Sequence, residues 1–128
     1  MTVLLLASHR ELGLFRVHVL EEAGLQVIFP EHRNAAARVI GEGGFDAILL
    51  SYSLPNDAAE ELIELARQKC PQCPIIAISE KAWDDRKLQP DETVLASEGP
   101  QGMLNAIYRI QRNGLRLIKQ LAYSAVEG

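Results

Sequence analysis

The sequence has neither an excess of basic residues nor a long apolar run. Thirteen lysines and arginines are outnumbered by 17 aspartates and glutamates, for a formal charge of −4, so nothing electrostatic favours nucleic acid or an anionic membrane as a partner. The opening apolar run covers only Val3 to Ala7, and no basic stretch precedes it. Such a run is too short for a signal peptide or a membrane-spanning helix, and we expect a cytoplasmic protein.

Cysteine is scarce, with two residues that form one Cys-Pro-Gln-Cys motif, Cys70 and Cys73. A redox pair of this spacing usually opens a helix, whereas this pair follows a helical pattern. A zinc site would need two further ligands, and the only histidines are His9, His18 and His32. We interpret the pair as part of an ordinary helix-to-strand loop and expect neither a metal nor a cofactor.

Apolar runs of strand length alternate with helical periodicity along the 128 residues, which is the length of one domain. The runs are rich in Leu, Ile and Val without polar alternation, as in strands that are buried on both faces. This pattern predicts an open, doubly wound α/β fold with five parallel strands and helices on both faces. The five predicted strands are Val3–Ala7, 25–30, Ala47–Ser51, Ile75–Ser79 and Val94–Ala96.

Helical signals lie between these runs. Leu12, Phe15, Val19 and Leu20 predict one buried stripe on the first helix, which Gly24 should end. The third helix should be capped by Asn56 or Asp57, with Glu60 returning a bond if Asp57 is the cap. In folds of this class, function gathers where the strands end.

The order and spacing of these segments resemble those of a response regulator receiver domain, a flavodoxin-like fold, from Val3 to about Ile110. The matching segments are VLLL before a helix ending EEAGLQV, then FDAILLSYSLP, then CPIIAIS. The resemblance implies a two-component signalling module, part of a phosphorelay. In that family a histidine kinase donates a phosphoryl group to an aspartate, and carboxylates hold a magnesium ion beside it.

This chain departs from the family at the phosphorylation site. Ala7 and Ser8, followed by His9, stand where the family has its two acidic residues, and Ser51 stands at the acceptor aspartate. Ser79 keeps the hydroxyl after the fourth strand, whereas Ser97 replaces the lysine after the fifth. We therefore interpret the chain as a degenerate member, a pseudo-receiver that neither takes up phosphoryl nor acts as an enzyme.

Two alternatives stay open at this site. In the first, a hydroxyl-rich pocket at the strand ends binds a small ligand or anion. The predicted pocket residues are Ser8, Ser51, Ser53, Ser79 and Ser97. A remoter alternative is a phosphoacceptor receiver that uses a displaced acid, Asp84 or Asp85.

The segment between the fourth and fifth strands is shorter than the family's, and Pro90 should break any helix after Leu88. We predict a shortened fourth helix of one or two turns from Trp83. Trp83, the only tryptophan, either anchors a partner or completes the core.

The C-terminal sequence predicts a long helix. Apolar residues repeat at heptad spacing, although Asn113-Gly114 could end the helix instead. We divide the chain into a receiver-like domain, 1–112, and a helical extension or linker to a following domain, 113–128. The predicted function is phosphorylation-independent protein–protein interaction with a signalling partner and a homodimer through the last helix. The predicted interaction face comprises Trp83, Ile107, Ile110, Leu117 and Leu121.

Overall fold

The structure, a computed structural model, describes the backbone of residues 1–81 and 88–127 and the side chains of residues 1–81 and 88–113. Its elements are β1 (Thr2–Leu6), α1 (Arg10–Glu22), β2 (Gln26–Ile28), α2 (Arg33–Glu42), β3 (Ala47–Leu50), α3 (Asn56–Lys69), β4 (Ile75–Ser79), β5 (Glu92–Leu95), a short 3₁₀ turn (Ala96–Glu98) and α4 (Gly99–Glu127).

The five strands form one parallel sheet in the order β2-β1-β3-β4-β5. This arrangement confirms the predicted flavodoxin-like class. The chain leaves β1 toward β2 on one side and returns to β3 on the other, so strand order reverses between β1 and β3. Residues directly after these two strands therefore meet at one crevice.

Both faces of the sheet are buried, as the apolar runs predict. Alternate residues of each strand point to opposite faces, so Leu4 and Ile48 join the cluster under α2 and α3, while Leu5 and Leu49 join the cluster under α1 and α4. All four side chains are fully buried. The core is therefore two apolar layers separated by the sheet.

Helix α1 packs differently from the predicted stripe. Its buried residues are Gly13, Arg16 and Leu20, whereas Phe15, expected in the core, is 52% exposed. A Cβ at Gly13 would lie 2.3 Å from the ring of Phe29, so the absence of a side chain lets that ring rest on the helix. Gly24 has a φ of +89° and follows α1, as predicted.

The predicted cap of α3 is wrong. The helix begins at Asn56 with Pro55 in the capping position, and no side chain caps it, because the extended backbone of Pro55 lets the helix begin before Asp57 can act as a cap. Asp57 lies in the first turn instead, where its carboxylate is 3.4 Å from Nη1 of Arg33. Arg33 also pairs with Glu61, which ties α2 to α3.

The pair Cys70 and Cys73 lies in the loop between α3 and β4, as predicted. The sequence interpretation did not include the disulfide that joins the two sulfurs. Cys70 ends α3, and Cys73 is buried beside the core. The bond closes a very short loop where the chain turns from helix to strand.

Helix α4 runs without a break from Gly99 through Gly114 to Glu127, a span of 29 residues. Its first half packs on the sheet through Met103, Ala106 and Ile107. No helix in the described part of the chain is both long enough and apolar enough to cross a membrane. Between β4 and β5, the described residues 80–81 and 88–91 contain no helix; the turns predicted from Trp83 lie outside the described residues, as do Asp84 and Asp85.

Candidate functional site

The ends of β1 and β3 meet at the point where strand order reverses. Leu6 pairs with Leu50 in the register of the two strands, and the backbone N–H of Ser51 donates to the carbonyl of Leu6 over 2.8 Å. Ser51 follows β3 directly and is fully buried. Ser51, which the sequence predicts to correspond to the family's acceptor, therefore lies deep in the crevice at the ends of β1 and β3.

An arginine from α1 reaches this buried serine. Nη1 of Arg16 donates to Oγ of Ser51 over 2.7 Å, and the guanidinium carbon is 5.5 Å from the centroid of the Tyr52 ring. Arg16 is only 7% exposed. Burial lowers the pKa of Arg16, and its interaction with Tyr52 partly opposes that effect. The site thus contains a buried cation beside the hydroxyl of Ser51.

Ser53 connects the two loops that form the crevice. Its Oγ accepts the backbone N–H groups of Ser8, over 3.1 Å, and of His9, over 3.3 Å. The Oγ atoms of Ser51 and Ser53 are 3.0 Å apart, and the N–H of Ser53 donates to Oγ of Ser51 over 3.2 Å. Hydroxyls and one guanidinium therefore form a continuous network from α1 through β3 to the loop after β1.

The described residues of this site do not fit magnesium. This ion takes oxygen ligands, usually one or two carboxylates with water, but Ala7 and Ser8 offer no carboxylate and Ser51 is neutral. Arg16 adds a positive charge that would repel the ion. Within residues 1–81 and 88–113, no group of three or more His, Cys, Asp or Glu side chains is placed to hold a metal.

The other predicted site residues do not all join the network. Ser79 is buried, and its Oγ accepts the backbone N–H of Lys81 over 3.4 Å. Ser97 lies on the exposed 3₁₀ turn. His9 is exposed, and its imidazole caps α1 by accepting the N–H of Leu12 on Nδ1 over 3.1 Å. The structure thus gives His9 a helix-capping position.

The predicted interaction face needs one correction. Ile107 is fully buried against the sheet within its own chain, because α4 turns this residue toward the domain, so it offers no surface to a partner. Ile110 is partly buried at the edge of the same cluster. Trp83 and the side chains of Leu117 and Leu121 lie outside the described residues.

Arg16 is the residue of the candidate site that the sequence interpretation missed. Its spacing holds a usable signal, since Leu12, Arg16 and Leu20 recur every four residues and so share one helix face. A charge on an otherwise apolar stripe indicates a buried, specifically paired side chain. The signal identifies the burial of Arg16 without identifying Ser51 as its partner.

No family model matches the sequence, and no curated protein is significantly similar to it. Solved structures do match. A CheY-like response regulator receiver domain protein from Methanospirillum hungatei superposes with a TM-score of 0.77 at 17% identity, over 90% of this chain and 96% of that one. The fold is that of the receiver domain.

Two other solved structures also match this chain. A response regulator from Thermotoga maritima in complex with Mg²⁺ and BeF has a TM-score of 0.68 at 18% identity, over 84% of this chain and 96% of that one. A protein of a family of streptococcal redox sensors evolved from two-component response regulators has a TM-score of 0.70 at 21% identity. It matches 93% of this chain, which spans 54% of that protein.

Proposed function

We propose that this chain is a receiver-like signalling module that acts through protein–protein contacts, is not an enzyme and accepts no phosphoryl group. The observation that carries the proposal is the hydrogen bond from Arg16 to Ser51. A guanidinium and a neutral hydroxyl occupy the centre of the crevice, and the loop after β1 supplies no carboxylate. A serine hydroxyl cannot form an acyl phosphate, and a resident cation opposes the metal that would neutralise the transferring group.

The direct test is exposure of the purified chain to acetyl phosphate and magnesium. We expect the intact mass to stay unchanged and the fluorescence of the only tryptophan to be unaffected by beryllofluoride, because Ser51 has no carboxylate to accept a phosphoryl group or to coordinate beryllofluoride. A receiver domain with an intact acid pair and acceptor aspartate serves as the positive control. An acid-labile gain of one phosphoryl mass in this chain would refute the proposal.

The partner surface that we propose is the second half of α4, which leads to a homodimer. The heptad spacing of Leu117 and Leu121 supports this part of the proposal, since an unbroken helix keeps such residues on one seam. Light scattering should give about twice the monomer mass for the whole chain and the monomer mass for a chain ending at Asn113. Equal monomer masses for both chains would exclude the dimer.

A second candidate function is a redox response, favoured by the disulfide between Cys70 and Cys73. The streptococcal redox sensor matched above supports the idea that a receiver fold can serve this purpose. The step is the loss of two electrons and two protons from two thiols as the S–S bond forms, with an oxidised dithiol protein or hydrogen peroxide as the oxidant. The pair lies away from Ser51, so this candidate is independent of the first.

Reduction of this disulfide should lower the free energy of unfolding by about 2 kcal/mol, the loop-closure value for a loop of about four residues. Urea unfolding with and without a reducing agent measures the change, and alkylation followed by mass analysis counts free thiols. The double variant Cys70→Ser/Cys73→Ser should have the same free energy of unfolding as the reduced protein, and the reducing agent should not change it. Two free thiols under oxidising conditions would contradict the candidate.

A further inference from the structure

A cavity lies on the α1 side of the sheet, between α1, the ends of β4 and β5, and the start of α4. Its volume is about 90 Å³, compared with about 150 Å³ for an apolar cavity that holds benzene. Most of its wall is apolar and includes Leu12, Ile78, Val94 and Met103. The exposed side chain of Phe15 also lines it. It therefore has room for a molecule of a few heavy atoms with an apolar body.

Among the described residues that line this cavity, Arg16 has the one charged side chain. A guanidinium has five N–H donors, and one of them is used on Ser51. No carboxylate of the described residues forms an ion pair with Arg16, and its other interaction is with Tyr52. A cation that is 7% exposed without a counter-ion is costly, and an anion beside it would offset that cost.

The start of α4 adds to the positive character of the cavity. Gly99 and Pro100 lie in its wall at the N-terminal end of a long helix, where the backbone dipoles leave a partial positive charge. The nearby carboxylate of Glu98 is engaged elsewhere, because its Oε2 accepts the backbone N–H of Leu95 over 2.8 Å. The cavity thus combines apolar walls with one buried cation.

We propose that this cavity binds a small organic monoanion, a short-chain carboxylate. The carboxylate pairs with the free donors of Arg16, and the alkyl chain contacts Leu12, Val94 and Met103. Inorganic phosphate is disfavoured because the apolar walls cannot replace its hydration. The inference goes beyond the proposed function, because it concerns ligand binding in the apolar cavity and not phosphoryl transfer at Ser51.

The test uses the whole chain and sodium butyrate, with sodium chloride at equal ionic strength as the reference. In ¹³C-methyl NMR, we expect saturable shifts for Leu12, Ile78, Val94 and Met103. The methyls of Ile40 and Leu62, which lie in the cluster on the other face of the sheet, should not move. The thermal midpoint should rise with butyrate and reach a plateau. Shifts that grow linearly, or that spread to both faces, would overturn the proposal.

Two variants test whether butyrate binding depends on the buried guanidinium of Arg16. Arg16→Gln should weaken butyrate binding by about tenfold or more, the weight of one charge-assisted hydrogen bond. Arg10→Gln makes the same change of charge at an exposed position of the same helix and should bind like the original chain. Equal affinity in all three proteins would refute the proposal. If Arg16→Gln does not fold, the methyl shifts of the original chain decide the matter alone.

Discussion

Replacing either Ile48 or Leu49 with alanine should lower the free energy of unfolding by about 2–5 kcal/mol, the range for truncating a fully buried aliphatic side chain. The two residues are neighbours on β3, the central strand, and both are 0% exposed. Their side chains point to opposite faces, Ile48 toward α2 and α3 and Leu49 toward α1 and α4. Each truncation removes contacts from a different apolar layer, so both should be costly.

Urea unfolding followed by far-UV circular dichroism measures both losses. Leu14→Ala on α1 is the matched control, because Leu14 is 48% exposed and its truncation should cost less than about 1 kcal/mol. If either core variant behaved like Leu14→Ala, one face of the sheet would be open to solvent and the doubly wound arrangement would be wrong. A comparable loss at both sites is expected only when helices cover both faces.

The sequence predicted this architecture because the signal is local and repeated. Five apolar runs without polar alternation, such as Ala47–Leu50, indicate strands that are buried on both faces. The helical segments between them indicate crossover connections between parallel strands. The C-terminal ends of β1 and β3 then have to meet. For this reason the crevice at Ser8 and Ser51 could be located from the sequence alone.

The contacts inside the crevice could not be predicted, because they join residues far apart in the chain. Arg16 and Ser51 are 35 positions apart, and the rotation of α1 decides which side chain reaches the strand ends. That rotation is fixed in part by Gly13, where the Phe29 ring packs against the helix. The same rotation buries Arg16 and exposes Phe15, which hydrophobic periodicity alone had assigned to the core.

Competition among neighbouring residues for the N-terminus of α3 explains why the predicted cap of this helix is wrong. Asn56, Asp57 and Glu60 all suit a helix N-terminus, but only one register can form. Pro55 has its φ fixed near the helical value without needing an N–H partner, and the helix begins directly after it. Asp57 then becomes free to approach Arg33 on α2, a tertiary contact that sequence periodicity does not encode.

Ser51→Asp alone should not restore phosphoryl transfer. The new carboxylate would lie next to the guanidinium of Arg16, whose Nη1 is 2.7 Å from the present Oγ. Unit charges 4 Å apart attract by about 4 kcal/mol at an effective dielectric constant of 20, so Arg16 should hold the carboxylate. Ala7 and Ser8 would still supply no acid for magnesium. Intact mass after acetyl phosphate treatment should therefore show no adduct.

A staged series of variants separates these two obstacles. Ser51→Asp combined with Ala7→Asp and Ser8→Asp supplies the missing carboxylates, and adding Arg16→Gln removes the competing cation. Calorimetric titration with magnesium chloride should show no binding for the single variant and at least about tenfold tighter binding when Arg16 is replaced than when it is kept, since a unit charge at this range is worth several kcal/mol. A phosphoryl adduct on the single variant would show that neither the absent acids nor Arg16 prevents the transfer.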